Sequence, residues 1–286
     1  MDFEKKHQED LQRLRGFRLL DDDFMTKVFE DISCAELLLR IILNDEGIRV
    51  LEAHSQRGIK NLQGRSVKLD ILAVDSHNRV FNVEVQRSDR GAGAKRARYN
   101  SALIDANVTE PGDQYEDLNE TFVIFITEND VMKAGLPIYH IDRVVSETGK
   151  LFEDEEHIIY VNSQIKDETK LGRLMHDFSC TDAKDMYNKV LADRVRYFKE
   201  DERGVEIMCR EMEIMRNQAH EEGIEKGRIM QLIKQVCVKM QKFSSAEEVA
   251  NDLVEQDVPL IQKIMNVAPD FAPDYNVNDI YNALKL

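Results

Sequence analysis

The chain has 286 residues, of which 42% are hydrophobic and 33% charged, with five Pro and no Trp. That length and composition fit one large domain, or a core domain with a smaller appendage, and exclude disorder on a large scale. A formal net charge of −15 argues against general affinity for nucleic acid, which depends on clustered Lys and Arg.

No run approaches the roughly 20 apolar residues needed to cross a bilayer. The opening MDFEKKHQEDLQRLRG lacks the apolar core of a signal peptide, so residues 1–16 are read as a polar leader and the protein as soluble and cytoplasmic. DDDFMTKVFED then predicts a first helix, with Phe24, Val28 and Met25 on its apolar side and three acids at its start, where the helix dipole favours them. A second helix follows, with Ser33 and Glu36 in the spacing of a capping box.

VKLDILAV, a turn-rich DSHNR and VFNVEVQ alternate as a β-hairpin does. Centring the turn near His77 pairs Leu69 with Val85, Ile71 with Val83 and Ala73 with Phe81, which aligns the apolar faces. The same register sets Asp70 opposite Glu84 and Lys68 opposite Gln86.

A helix is expected from Ala92 to about Asn107, then a strand buried on both faces at TFVIFIT (121–127), and later strands in LPIYHIDRVV and HIIYVN. Beyond residue 164 the pattern is helical, with a long polar helix over about 201–241 and two short ones. Ser245 with Glu248 forms a capping box and Pro259 suits a first helical turn. Gly223 and Gly227, four apart, put small residues on one face of the long helix; such a face can admit a second helix, which predicts a homodimer. The sequence thus divides into a leader, a domain over 17–164, and a helical region over 165–286.

Two carboxylates directly across an antiparallel pair repel unless something compensates. A divalent cation does so, and Mg²⁺ accepts one or two carboxylates together with water and phosphate oxygens. Acids 21–23 precede a helix that can supply a third ligand. Charge is also patterned: acid gathers near the termini and in 200–226, whereas Arg57, Lys60, Arg65 and Lys68, then Arg87, Arg90, Lys95, Arg96 and Arg98, flank the hairpin. The latter five read as phosphate contacts with DNA, which position a duplex without specifying sequence.

Asp70, thirteen residues and then Glu-Val-Gln (84–86) resemble the D…(D/E)-x-K core of the PD-(D/E)XK nuclease superfamily, in an E-x-Q form. DDDFMTKVFED, IKNLQGRSVKLDILA, VEVQRSDRGAGAKRARYNSALID, FVIFITENDV, LPIYHIDRVV, HIIYVN and EEGIEKGR are similar to the recombination-promoting nuclease (Rpn) family, also labelled transposases, over about residues 17–230. The resemblance implies an α/β, restriction-endonuclease-like mixed sheet flanked by helices and followed by a helical C-terminal region. It implies a metal-dependent DNA endonuclease that promotes recombination or serves a mobile or defence-related element. Asp70 and Glu84 would bind Mg²⁺, or Mn²⁺ or Ca²⁺, with Asp22 or Asp23 completing the set; Asp22 fits the family pattern better. Gln86 would hold the superfamily lysine position. An amide cannot stabilise a phosphorane charge as an ammonium does, so the missing charge is assigned to Lys68, with Arg96 as second choice. Tyr99, on the helix after the hairpin, is open to a DNA-contacting or a packing role.

The alternative class is a catalytically silent nuclease fold that binds DNA or regulates through its helical tail. Cys34, Cys180, Cys209 and Cys237 are far apart and lack a C-x-x-C pair, so ordinary thiols are expected and no structural zinc. His140, His157 and His176 are scattered singly and read as core or surface imidazoles.

Overall fold

In the computed structural model the described residues are 3–59, 61, 66–87, 91–109, 112 and 114–284, with side chains from residue 6 onward. The chain divides into two compact units, Met1–Cys209 and Arg210–Leu286. The division falls later than the boundary expected after residue 164, because helices α5 (Lys170–Ser179) and α6 (Lys189–Glu200) pack on α3 (Ile32–Leu43) within the first unit. Within the segment read as a polar leader, Phe3–Gly16 forms helix α1, with Leu14 buried.

A six-stranded mixed sheet organises the first unit. Its strands are β1 (Val50–Ile59), β2 (Val67–Asp75), β3 (Val80–Gln86), β4 (Thr121–Thr127), β5 (Ile138–Ile141) and β6 (Glu156–Asn162), in the order β1-β2-β3-β4-β6-β5. β3, β4 and β6 are mutually parallel, while β2 and β5 run antiparallel to their neighbours. Every residue of β4 is buried, as an apolar run between two parallel neighbours requires. Helix α4 (Ala94–Val108) joins β3 to β4 and packs on β4 and β1. Its buried Ala97, Leu103 and Ile104 share a core with Leu72, Val123, Phe125 and Tyr160.

β1 was not legible in the sequence. Its burial alternates poorly, only Val50 and Ile59 at its ends being buried, and a register shift after Val50 leaves Leu51 exposed. It is an edge strand whose charged and polar residues carry little hydrophobic period. The second helix also starts earlier than expected. Asp31 caps α3, its carboxylate accepting the Ser33 and Cys34 N–H groups at 3.0 and 3.3 Å. Ser33 therefore lies inside the helix, and Glu36 instead accepts the Val50 N–H at 3.0 Å and pairs with Arg40.

The second unit is helical among its described residues. The C-terminal part of α7 (Glu202–Lys239) gathers α8 (Ala246–Leu253), α9 (Val258–Val267) and α10 (Val277–Leu284) around Ile233, Val236, Val249, Ile261, Ile264 and Ile280. The Ser245–Glu248 capping box forms, and Pro259 stands in the first turn of α9, as expected. Among the described residues no helix is long and apolar enough to cross a membrane.

The reassigned cap is testable. Asp31→Ala should cost about 1 kcal/mol of stability in chemical denaturation, whereas Ser33→Ala, at an exposed position, should change it by less than about 0.5 kcal/mol.

Candidate active site

The hairpin takes the expected register: Ile71 pairs with Val83 and Ala73 with Phe81. The ladder then ends. The expected pairs Asp70/Glu84, Leu69/Val85 and Lys68/Gln86 lie beyond the last β2–β3 pair, because the two strands part there. β2 stays with β1, through Leu69↔Arg57 and Lys68↔Gly58, while β3 stays with β4, through Glu84↔Phe125 and Gln86↔Thr127. The Asp70 carboxylate fills the opening and accepts the Val85 N–H at 3.0 Å, so a side chain satisfies a backbone donor that the ladder has released.

Both acids are buried, Asp70 at 7% exposure and Glu84 at 0%. Burial pushes the Asp70 carboxyl up to about 8, helped by the charges of Glu84 and Asp22. Burial likewise raises Glu84, which Arg96 and the neighbouring Asn82 partly offset. Asp22, at the start of α2 (Asp22–Phe29), keeps an exposed side chain but is raised by partial desolvation and by Asp23, against the pull of Lys68 and Arg96. The Gln56 amide of β1 reaches Asp22 at 3.4 Å. Asp22 acts electrostatically on both hairpin acids, whereas Asp23 is influenced by Arg13, Lys68 and Asp21.

Arg96 of α4 forms an ion pair with Glu84, donates to the Gly91 carbonyl at 3.0 Å and lies over the Phe125 ring. The Gln86 side chain packs against Gly91 so closely that a Cβ there would stand 1.5 Å from Gln86 Oε1. Gly91 is thus a close-approach glycine. Lys68 is exposed, and its charge is felt by Asp22 and Asp23.

The described basic residues differ in what they engage. Arg87 donates to Asp21 at 2.7 Å and lies 3.6 Å from Glu128, so its charge is already matched. Lys95, Arg98 and Arg57 are exposed. Tyr99 is half-buried and accepts a hydrogen bond from Asn61 at 3.0 Å, in keeping with packing. Lys60, Arg65 and Arg90 lie outside the described residues. His157 is held between Glu120 and Asp142 and stacked on Phe122, a structural setting.

The donor set suits a hard divalent cation, which takes carboxylate oxygens. Glu84 Oε1 is buried without a hydrogen-bond partner, and such an atom carries a desolvation cost that a cation would relieve. Asp70 and Asp22 add carboxylates to the same field. Further buried polar atoms without partners belong to Asn100, Ser101 and Tyr160, the first two on α4. Sequence reasoning missed these and Gln56. The one available signal was polar side chains set within otherwise buried runs.

Because the folded Asp70 carboxyl titrates above its ordinary 3.8, ionising it opposes folding. The cost is absent in acid, grows as pH rises through the interval between the two values, and is complete above the folded one. With chelator present, Asp70→Asn should therefore raise Tm at pH 9, with the gain vanishing towards pH 4. A gain independent of pH would contradict this.

Comparison with curated proteins and with solved structures finds no match. Residues 36–228, which contain the whole hairpin, Gly91 and α4, match the family model described as PD-(D/E)XK nuclease family transposase. The residue pattern around Asp70 and Glu84, the mixed sheet that carries it and this match over most of the chain agree, and the chain belongs to the PD-(D/E)XK nuclease family transposases.

Proposed function

We propose that the parted end of the β2–β3 hairpin is the active site of a divalent-metal-dependent endonuclease acting on DNA. The observation that carries this reading is the buried, unpartnered Glu84 oxygen beside Asp70, with Asp22 in the same electrostatic field. Asp70, Glu84 and Asp22 would hold Mg²⁺, with Mn²⁺ or Ca²⁺ as substitutes. Such an ion, when bound, supplies an activated water and stabilises charge on the scissile phosphate.

The chain's own groups do the rest. The Val85 N–H orients the Asp70 carboxylate. Gln86 sits at the superfamily lysine position, and its amide, close against Gly91, orients rather than supplies charge. Arg96, paired with Glu84 and felt by Asp70 and Asp22, is the cation best placed to replace that lysine; Lys68, beside Asp22 and Asp23, is the secondary candidate. Lys95 and Arg98 are the exposed basic groups of α4 offered to backbone phosphates. Arg87 is better assigned to holding Asp21 and Glu128.

Promotion of recombination, service in a mobile or defence-related element, and a cytoplasmic setting belong to the same reading. So does a homodimer through α7, for which the open space around Gly223 and Gly227 is the support. The Arg96–Glu84 ion pair also favours a second reading, a silent nuclease fold whose acids are neutralised internally.

Supercoiled plasmid incubated with the full chain and Mg²⁺ or Mn²⁺ should be nicked, with chelator or Asp70→Ala abolishing the reaction. Arg96→Ala should lower the rate by two or more orders of magnitude, in the range of about 10²–10³ for losing a transition-state donor, and Lys68→Ala by less. DNA binding without nicking would establish the silent reading. Light scattering should give twice the chain mass; the monomer mass would remove the dimer.

A further inference from the structure

Among the described residues, one cluster brings three different metal-ligating side chains within reach of a single ion. His176 is in the last turn of α5, Asp177 follows it, and Cys180 caps the helix. One ligand atom from each lies within 4.8 Å of the others. His176 Nδ1 is 3.5 Å from Cys180 Sγ and 3.5 Å from Asp177 Oδ1. Ligand atoms about 2.3 Å (sulfur) and about 2.0–2.1 Å (nitrogen, oxygen) from a tetrahedral zinc lie roughly 3.3–3.6 Å apart. These two edges match that spacing, and the third, Asp177 Oδ1 to Cys180 Sγ, lies within 4.8 Å.

The surroundings are those of a prepared ligand. Asp177 is fully buried, and its carboxylate is fixed by the Tyr187 N–H at 2.7 Å, the Asn188 N–H at 2.8 Å and the Asn188 amide at 2.7 Å. Outer-shell donors of this kind orient ligating carboxylates. His176 and Cys180 are half-exposed, which leaves a fourth position open to water.

We propose that His176 Nδ1, Asp177 Oδ1 and Cys180 Sγ form a three-ligand site for a borderline-soft divalent cation, zinc by its donor set, with water completing a tetrahedron. Binding releases the thiol proton of Cys180 to solvent and leaves no redox change. Thiolate and imidazole select zinc over Mg²⁺ and Ca²⁺, so this site does not compete with the hairpin carboxylates. Its role is bracing. Asp177 already ties α5 to the entry of α6, and the Phe178 carbonyl accepts the Leu20 N–H at 3.2 Å, two residues before the helix that begins with Asp22.

Cobalt(II) titration of the full chain reads the site directly, since a Co–thiolate bond gives a near-ultraviolet charge-transfer band and tetrahedral geometry gives intense visible bands. The expected result is one equivalent of such a signal, displaced by Zn²⁺ but not by excess Mg²⁺. It should persist in Asp70→Ala and Cys209→Ser, and be lost in Cys180→Ser and His176→Gln. Zinc should raise the Tm of the wild-type chain and not that of Cys180→Ser. No thiolate band in the wild-type protein, or an undiminished band in either site variant, would overturn the proposal and reduce the cluster to hydrogen bonds. The wild-type spectrum and the two independent variants keep the outcome decisive if one variant fails to fold.

Discussion

Two carboxylates are buried at the point where neighbouring strands separate, and much of the first unit is arranged around that fact. If β2 and β3 stayed paired to their ends, Asp70 and Glu84 would face each other across a closed ladder, where like charges repel. The sheet instead divides its allegiance: β2 follows β1 and β3 follows β4. The opening exposes backbone donors, one of which Asp70 captures through Val85. A side chain that is costly to bury thereby becomes the group that satisfies the backbone, and the burial that raises its carboxyl leaves a cost that a bound cation would offset.

That arrangement depends on elements distant in sequence. β1 holds β2 away from β3 and brings Gln56 to Asp22. The β3–β4 crossover returns Arg96 of α4 to Glu84, and Gly91, lacking a Cβ, leaves room for the Gln86 side chain. The excess of acid over base in the whole chain conceals a local pattern. Arg87 and Arg18 are engaged with Asp21 and Glu128, whereas Lys95 and Arg98 point to solvent. Affinity for a polyanion would then rest on a few exposed cations rather than on net charge.

Much of this was legible in the sequence where hydrophobic period and burial coincide. The alternation in 67–86 gave the hairpin register, and TFVIFIT could only be a strand covered on both sides. The same register set Asp70 directly across from Glu84, a pair that the parted strands do not make, because β2 continues with β1 and β3 with β4. β1 itself was hidden, since an edge strand of mixed polarity has no apolar period to read. Lys68 was favoured over Arg96 from hairpin parity alone. An arginine ten residues beyond the strand reaches Glu84 only because α4 folds back over the sheet. The three consecutive acids differ only in three dimensions: Asp22 adds to the field at Asp70 and Glu84, Asp23 faces the charge of Arg13, and Lys68 acts on both.

The same limit explains the cysteines. Read as isolated positions they suggested no metal, because zinc motifs are recognised by paired spacing. Cys180 and His176 are four apart, one helical turn, and Asp177 turns inward because residues 187–188 bring their N–H groups to it. Ligand sets with such different hardness, carboxylates at the hairpin and a thiol with an imidazole at the end of α5, discriminate between cations by chemistry rather than by affinity alone. The end of α5 bonds to Leu20 through Phe178, and Leu20 leads into the helix of Asp22. The end of α5 is therefore linked, through backbone, to the entry of the helix that begins with Asp22.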